Sequence, residues 1–411
     1  MITEERFENG ITVALEELPH AESASLGVWV RAGAVDEVQP GGAGKTNAGI
    51  SHFVEHMMFK GTQRRTYKDI ADHVDRIGAA ANAFTSKEAT CYYIKLQPQH
   101  FAPAIDILAD MVKNSLFDPG EMEKEKQVIY EEMKMIEDVP EDYGNELVDE
   151  AVFSGGSFGH SVIGTPDTVG GITRDDILAY RAQRYTADNI LLSVAGKFDR
   201  AAVLALLAEA FGDIPAAEGS ARALTVAPAP TADIRKDKGN AQSHLFLGRR
   251  SVSRLDDDCY PYQLYSSILG GSMSSRLFQN VREEKGLAYS VYSHNASLSA
   301  DGMFLIYAGV AHEKEAAAEA AIFEELTRLA EVPVDAEELA KVKEQNKGAY
   351  LFARENIVGR MSSLGRNKLL LGRIIPTEEV MASIDAVTAA DIQRIAKQNA
   401  IRDSFTRVIV C

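Results

Sequence analysis

Cysteine is scarce in this chain: three in 411 residues, Cys91, Cys259 and Cys411, with no C-x-x-C pair. That excludes a disulfide framework and a thiolate zinc site, and fits a reducing compartment. Long apolar runs are missing too. No stretch of 18 apolar residues occurs, so no membrane span is expected. Positive charge is short, with 43 Lys and Arg against 60 Asp and Glu, a formal charge of −17. Phosphate would repel such a surface, which removes nucleic acid from the expected partners. Basic peptides are what it would attract. The first residues, Met1-Ile2-Thr3-Glu4-Glu5-Arg6, lack a basic segment followed by an apolar one. No signal peptide is expected, and the bacterial cytoplasm is the expected location.

Histidine is sparse as well, at nine residues, yet two fall in His52-Phe53-Val54-Glu55-His56. Residues four apart share one helical face, so both rings can meet one metal ion, and Glu55 can reach the same rim. Two imidazoles leave room for a third protein ligand and a water, as in catalytic zinc. Gly61 is placed to stop this helix. A second helix is expected over residues 121–137, its apolar stripe holding Val128, Ile129 and Ile136. Glu125 and Glu132 fall on that stripe, while Glu131 shares a solvated side with Lys124, Gln127, Lys134 and Asp138. A carboxylate on a buried face is costly unless paired or metal-bound. Glu125 and Glu132 are therefore both candidates to complete the site.

A chain this long exceeds one hydrophobic core, and two domains are expected. Strands are read at 11–16, 24–32, 79–85, 90–96 and 189–196, with helices at 67–77, 100–113 and 201–211. Residues 1–213 form the first domain and 234–411 the second. Pro215, Pro228 and Pro230 mark an extended linker at 214–233. The second half repeats the first: a strand at 243–247, a helix at 260–269, a helix at 276–284, a strand at 288–293, and a helix at 337–350 like the one carrying Glu132. Aligning Gly271 with Gly61 sets Tyr262, Tyr265 and Ser266 opposite His52, Glu55 and His56. The copy thus lacks metal ligands, and one zinc ion per chain is expected. Gly41-Gly42-Ala43-Gly44-Lys45-Thr46 looks like the end of a phosphate-binding loop. Gln39 stands where that motif requires glycine, however, and no strand runs into it.

H-x-x-E-H with Glu132 76 residues beyond His56 resembles the pitrilysin/insulinase family of zinc peptidases, the inverzincins. The similarity extends over Gly49–Thr62, Asn82-Ala83-Phe84-Thr85, Ser275-Arg276-Leu277-Phe278 and Arg282–Ser290. The two-domain length is similar to the mitochondrial processing peptidase branch and its bacterial homologues. The resemblance implies an α/β (α+β) fold of two homologous α/β rolls, each a mainly antiparallel sheet with helices packed on it. It implies two such chains closing as a clam-shell around a chamber. It also implies His52, His56 and Glu132 as zinc ligands, Glu55 as catalytic base, and Glu125 as a carboxylate steadying the site. Arg282 and Tyr289 match a pair that the second domain offers to the substrate. The chain departs from the pattern in its glycine-containing loop from Gln39 to Gly49. Its second half also lacks the long glycine-rich loop of the non-catalytic mitochondrial partner, having only Gly270-Gly271-Ser272-Met273.

The expected activity is a zinc-dependent endopeptidase acting on peptides or unfolded segments. Asn82 to Thr85 is expected to form a sheet edge that pairs with an extended substrate. Both the metal motif and Arg282/Tyr289 lie on one chain, which favours a homodimer over a heterodimer with a related chain. The alternative is a catalytically silent or partner-dependent structural subunit.

Overall fold

In the computed structural model, which describes residues 2–37, 47–216, 222–228 and 230–411, the β-branched and aromatic runs assemble into two mixed sheets. The Gly41–Thr46 segment lies outside the described residues. The first half contributes β1 (Ile2–Arg6), β2 (Thr12–Glu17), β3 (Ala24–Val30), α1 (Ile50–Met58), α2 (Tyr67–Arg76), β4 (Ala80–Thr85) and β5 (Thr90–Leu96). It continues with α3 (Phe101–Asn114), α4 (Pro119–Asp138), α5 (Pro140–Val152), α6 (Pro166–Gly171), α7 (Arg174–Arg184), β6 (Ile190–Gly196) and α8 (Arg200–Phe211). The second half holds β7 (Asp233–Lys236), β8 (Ser243–Arg250), α9 (Cys259–Gly270), β9 (Ala288–Ser297), β10 (Gly302–Val310), α10 (Glu315–Glu331) and α11 (Ala336–Ala353). It closes with α12 (Ile357–Leu371), α13 (Thr377–Ala386), α14 (Ala389–Asn399) and β11 (Thr406–Val410).

The first sheet runs β1-β2-β6-β3-β5-β4 and the second β7-β11-β8-β10-β9. In each, one neighbouring pair is parallel (β2 with β6, β7 with β11) and the rest are antiparallel. Strand for strand, β2, β6, β3, β5 and β4 answer to β7, β11, β8, β10 and β9. The internal repeat is thus written in the pairing, with β1 an addition to the first copy. The helix at 276–284 contains a π-helical stretch, Phe278–Glu284.

Two compact units result: Met1–Met133 with His160–Ala223 and Phe352–Ile374, and Lys134–Gly159 with Leu224–Leu351 and Ile375–Cys411. This partition differs from a cut at 214–233, and the reason is packing. Helix α12 belongs to the first unit, where it lies on β2, β3 and β6, and α5 belongs to the second, on β8 and β11. In the first unit, α1, α3, α7 and α8 bury Phe53, Val54, Ile107, Leu108, Ile177 and Leu207 with the sheet residues Leu26, Val28, Ile94 and Val194. On the sheet's opposite face, Met361 and Leu364 of α12 join Trp29, Cys91 and Leu191. Buried Glu16 anchors this helix by accepting from Arg354 at 2.8 Å and Arg360 at 2.5 Å.

Both of these helices approach so closely that only glycine fits at the contact. A Cβ on Gly365 would lie 2.0 Å from Trp29 Nε1, and one on Gly144 would lie 2.0 Å from Phe246 Cε2. Trp29 is fully buried and its Nε1–H donates to Ser193 Oγ at 2.9 Å, so it has little freedom to move. Gly365→Ala should therefore destabilise the protein. Overpacking costs up to about 3 kcal/mol, against a gain of about 1 kcal/mol in helix propensity. Urea unfolding should show a net loss near 2 kcal/mol, and wild-type stability would contradict this packing argument.

Candidate metal centre

Helix α1 begins at Gly49, whose φ of 91° suits glycine, and buries Phe53, Val54, Met57 and Met58. Its N-terminus is held from outside. The Glu37 carboxylate accepts from Gly49 N at 2.7 Å and Ser51 N at 2.9 Å, covering amides that a helix start leaves unpaired. Ser51 Oγ and Tyr180 Oη are 2.6 Å apart beside it. Burying one face fixes the other, so His52, Glu55 and His56 form a half-buried stripe. The two imidazole centroids stand 4.6 Å apart.

Helix α4 runs past this stripe. Glu132 Oε2 lies 3.8 Å from His52 Nε2 and 3.5 Å from His56 Nε2. These gaps are near the ~3.4 Å edge of a tetrahedron with metal–ligand bonds of about 2.0–2.1 Å. Among the described residues, His52, His56 and Glu132 are the group whose donor atoms all lie within 4.8 Å of one another. Two imidazole nitrogens and a carboxylate oxygen at this separation fit a zinc ion. Burial, and then the neighbouring His56, lower the His52 pKa to about 4, which keeps it neutral as a ligand must be.

Glu125 occupies a different place. It is 5% exposed, with Oε2 at 3.2 Å from His56 Nδ1 and Oε1 at 2.6 Å from Lys60 Nζ. It therefore touches the ring on the side away from Glu132. The stripe expected on this helix is rotated: Met122, Glu125, Lys126, Ile129 and Met133 are buried, whereas Val128 is exposed and Glu132 half-buried. Packing against the core turns α4 so that Glu132 reaches the open rim and Glu125 the interior.

Glu55 sits between the metal rim and β4. Thr85 Oγ1 donates to Glu55 Oε2 at 2.5 Å, fixing one carboxylate oxygen. Desolvation raises the Glu55 pKa, opposed by the Thr85 hydrogen bond and His56 and assisted by Glu132. In β4, Asn82 and Phe84 are exposed, while Ala83 and Thr85 turn inward. This strand ends its sheet and pairs with β5. Arg282 and Tyr289 belong to the other unit. There the Arg282 guanidinium carbon lies 4.6 Å from the Phe278 ring centroid and 5.5 Å from that of Tyr289, whose side chain is largely exposed.

Three contacts escaped the sequence reading. Glu37 carries no local signal, since a cap arriving from a separate segment follows no spacing rule. Lys60 was findable, because it follows His56 by one helical turn. The Thr85–Glu55 bond depends on tertiary packing of β4 against α1.

Residues 12–166 match the insulinase family, peptidase family M16, and residues 171–346 match the peptidase M16 inactive domain. An uncharacterised zinc protease of Bacillus subtilis is 38% identical over 398 residues, spanning 97% of this chain and 95% of that protein. Another, from Rickettsia felis, is 34% identical over 402 residues, spanning 98% and 95%. A protease from Helicobacter pylori has the same fold, with a TM-score of 0.90 over 100% of this chain and 99% of that one at 22% identity. So does a peptidase M16 inactive domain from Pseudomonas fluorescens, at 0.90 over 100% and 97% with 19% identity.

The cap on α1 predicts a pH dependence. Burial pushes the Glu37 carboxyl up to about 7 from its ordinary 4.5, against the hydrogen bonds from Ser51 and Gly49. The folded protein then keeps a proton that the unfolded chain releases between those values. This contribution to stability is complete below about 4.5 and is lost as pH rises through 7, a change of about 3 kcal/mol. Glu37→Gln should remove that slope in urea melts between pH 4.5 and 7.5, and parallel curves for the two proteins would contradict it.

Proposed function

The chain belongs to the M16 (insulinase) family of peptidases, and from that premise we propose that it is a zinc-dependent endopeptidase. It hydrolyses peptides or unfolded polypeptide segments. The observation that carries this reading is the convergence of His52 Nε2, His56 Nε2 and Glu132 Oε2 beside the carboxylate of Glu55. His52, His56 and Glu132 hold one zinc ion per chain, with Glu125 steadying His56. Bound there, zinc supplies the Lewis acidity that makes water a competent nucleophile near neutral pH. Glu55 takes a proton from the attacking water and returns it to the departing amine. Its raised pKa suits both transfers, and the Thr85 hydroxyl keeps the carboxylate aimed.

The N-terminal half carries this centre. Arg282 and Tyr289, the pair that the resemblance assigns to the substrate, are proposed as hydrogen-bond donors to it. The outer edge of β4 at Asn82–Thr85, last in its sheet among the described residues, pairs with the substrate backbone, which gives binding with little sequence preference. The chamber is that of a homodimer closing as a clam-shell, and the acidic charge of −17 favours basic peptides. The bacterial cytoplasm is the compartment proposed. Among the described residues no helix is long and apolar enough to cross a membrane.

Glu55→Gln should retain zinc while losing peptide hydrolysis by at least about a hundredfold, as expected for a general base. His52→Ala should lose zinc and activity together. Metal analysis beside a digest of a mixed peptide library checks both, and turnover by metal-replete Glu55→Gln would defeat the assignment.

A further inference from the structure

Resting on that reading, we propose that Lys60 is a positioning residue for the metal centre, acting through Glu125 on His56. The two oxygens of Glu125 have different partners: Oε1 meets Lys60 Nζ at 2.6 Å and Oε2 meets His56 Nδ1 at 3.2 Å. A carboxylate pinned at both oxygens cannot turn about its own axis. The imidazole it touches is thereby held with Nε2 facing Glu132, 3.5 Å away. Lys60 is thus one contact removed from the metal rim, linked to it by a bridge rather than by proximity.

The charge pattern gives this contact its weight. Glu55, Glu125 and Glu132 crowd around two imidazoles that must stay neutral to bind a metal. Glu125 is the most buried of the three, and a carboxylate at that depth needs a partner cation or a full set of donors. Lys60 is that cation, with its side chain 29% exposed. It stands just past the last turn of α1, where the helix dipole favours positive charge. His56 is thus on the last turn of α1, and four residues on, just past the helix end, stands the cation that fixes this residue's orienting carboxylate. Groups that orient a ligating histidine typically change metal affinity by 10–100-fold when removed.

The test is zinc affinity, measured on metal-stripped protein by competition with a chelating indicator. Lys60→Met should bind zinc about tenfold more weakly than wild type, and Lys60→Arg within about threefold of it. Glu125→Gln should lose at least as much as Lys60→Met. The double variant should be within twofold of Glu125→Gln alone, because Lys60 acts only through that carboxylate. Lys60→Met binding within twofold of wild type overturns the proposal and leaves the metal centre standing. So does a double variant whose loss is the product of the two single losses. Wild-type protein that takes up no zinc rejects the metal centre itself, and the relay with it. Should Lys60→Met fail to fold with Glu125 left unpaired, Lys60→Gln replaces it. It is expected to be about fivefold weaker, and a change under twofold again overturns the proposal.

Discussion

Two imidazoles and a carboxylate from helices far apart in the chain must stand within a few ångströms of each other amid further negative charge. Everything else at this site serves that constraint. Helix α1 is fixed at its start by Glu37, along one face by Phe53, Val54, Met57 and Met58, and just past its end by the Lys60–Glu125 pair. Helix α4 is fixed by Met122, Ile129 and Met133 on the core. With both helices held on one sheet, the small separation between His52, His56 and Glu132 requires no local distortion. Each carboxylate has its own contacts. Glu125 takes Lys60 and His56, and Glu55 takes Thr85, which leaves Glu132 facing the two Nε2 atoms.

The repeat explains how a fold can carry such a site once. Both halves build the same five-strand pattern with one parallel pair, and α9 packs on β9 as α1 packs on β4. With Gly271 aligned to Gly61, α9 sets Tyr262, Tyr265 and Ser266 against His52, Glu55 and His56, and all three are buried. There the helix is packed into the core on the side that α1 leaves half-exposed. One copy leaves these side chains half-buried, and the other buries them. Each half also lends a helix, α5 or α12, to the unit built on the other sheet, with a glycine against a buried aromatic ring at each contact.

Much of this was legible in the sequence because it depends on local periodicity. The four-residue spacing of His52 and His56, the strand at Thr90–Leu96 and the amphipathic helix after Phe101 are set by neighbours along the chain. The rotation of α4 was not legible. Val128, Ile129 and Ile136 suggest an apolar stripe, but the helix buries Lys126 and exposes Val128, because the core it meets is built from distant segments. The exchange of α5 and α12 between units was hidden for the same reason. An amphipathic helix states that it must be covered, but not by which sheet. Glu37 was hidden more completely, since a cap supplied from beyond the helix has no register to follow.

His52, His56 and Glu132 are proposed to grip one metal ion. This grip is tested most directly by anomalous diffraction at the zinc edge from crystals of the zinc-loaded protein. One peak per chain is expected, about 2.0–2.2 Å from His52 Nε2, His56 Nε2 and a Glu132 oxygen. A zinc peak elsewhere, with those three donors uncoordinated, would contradict it.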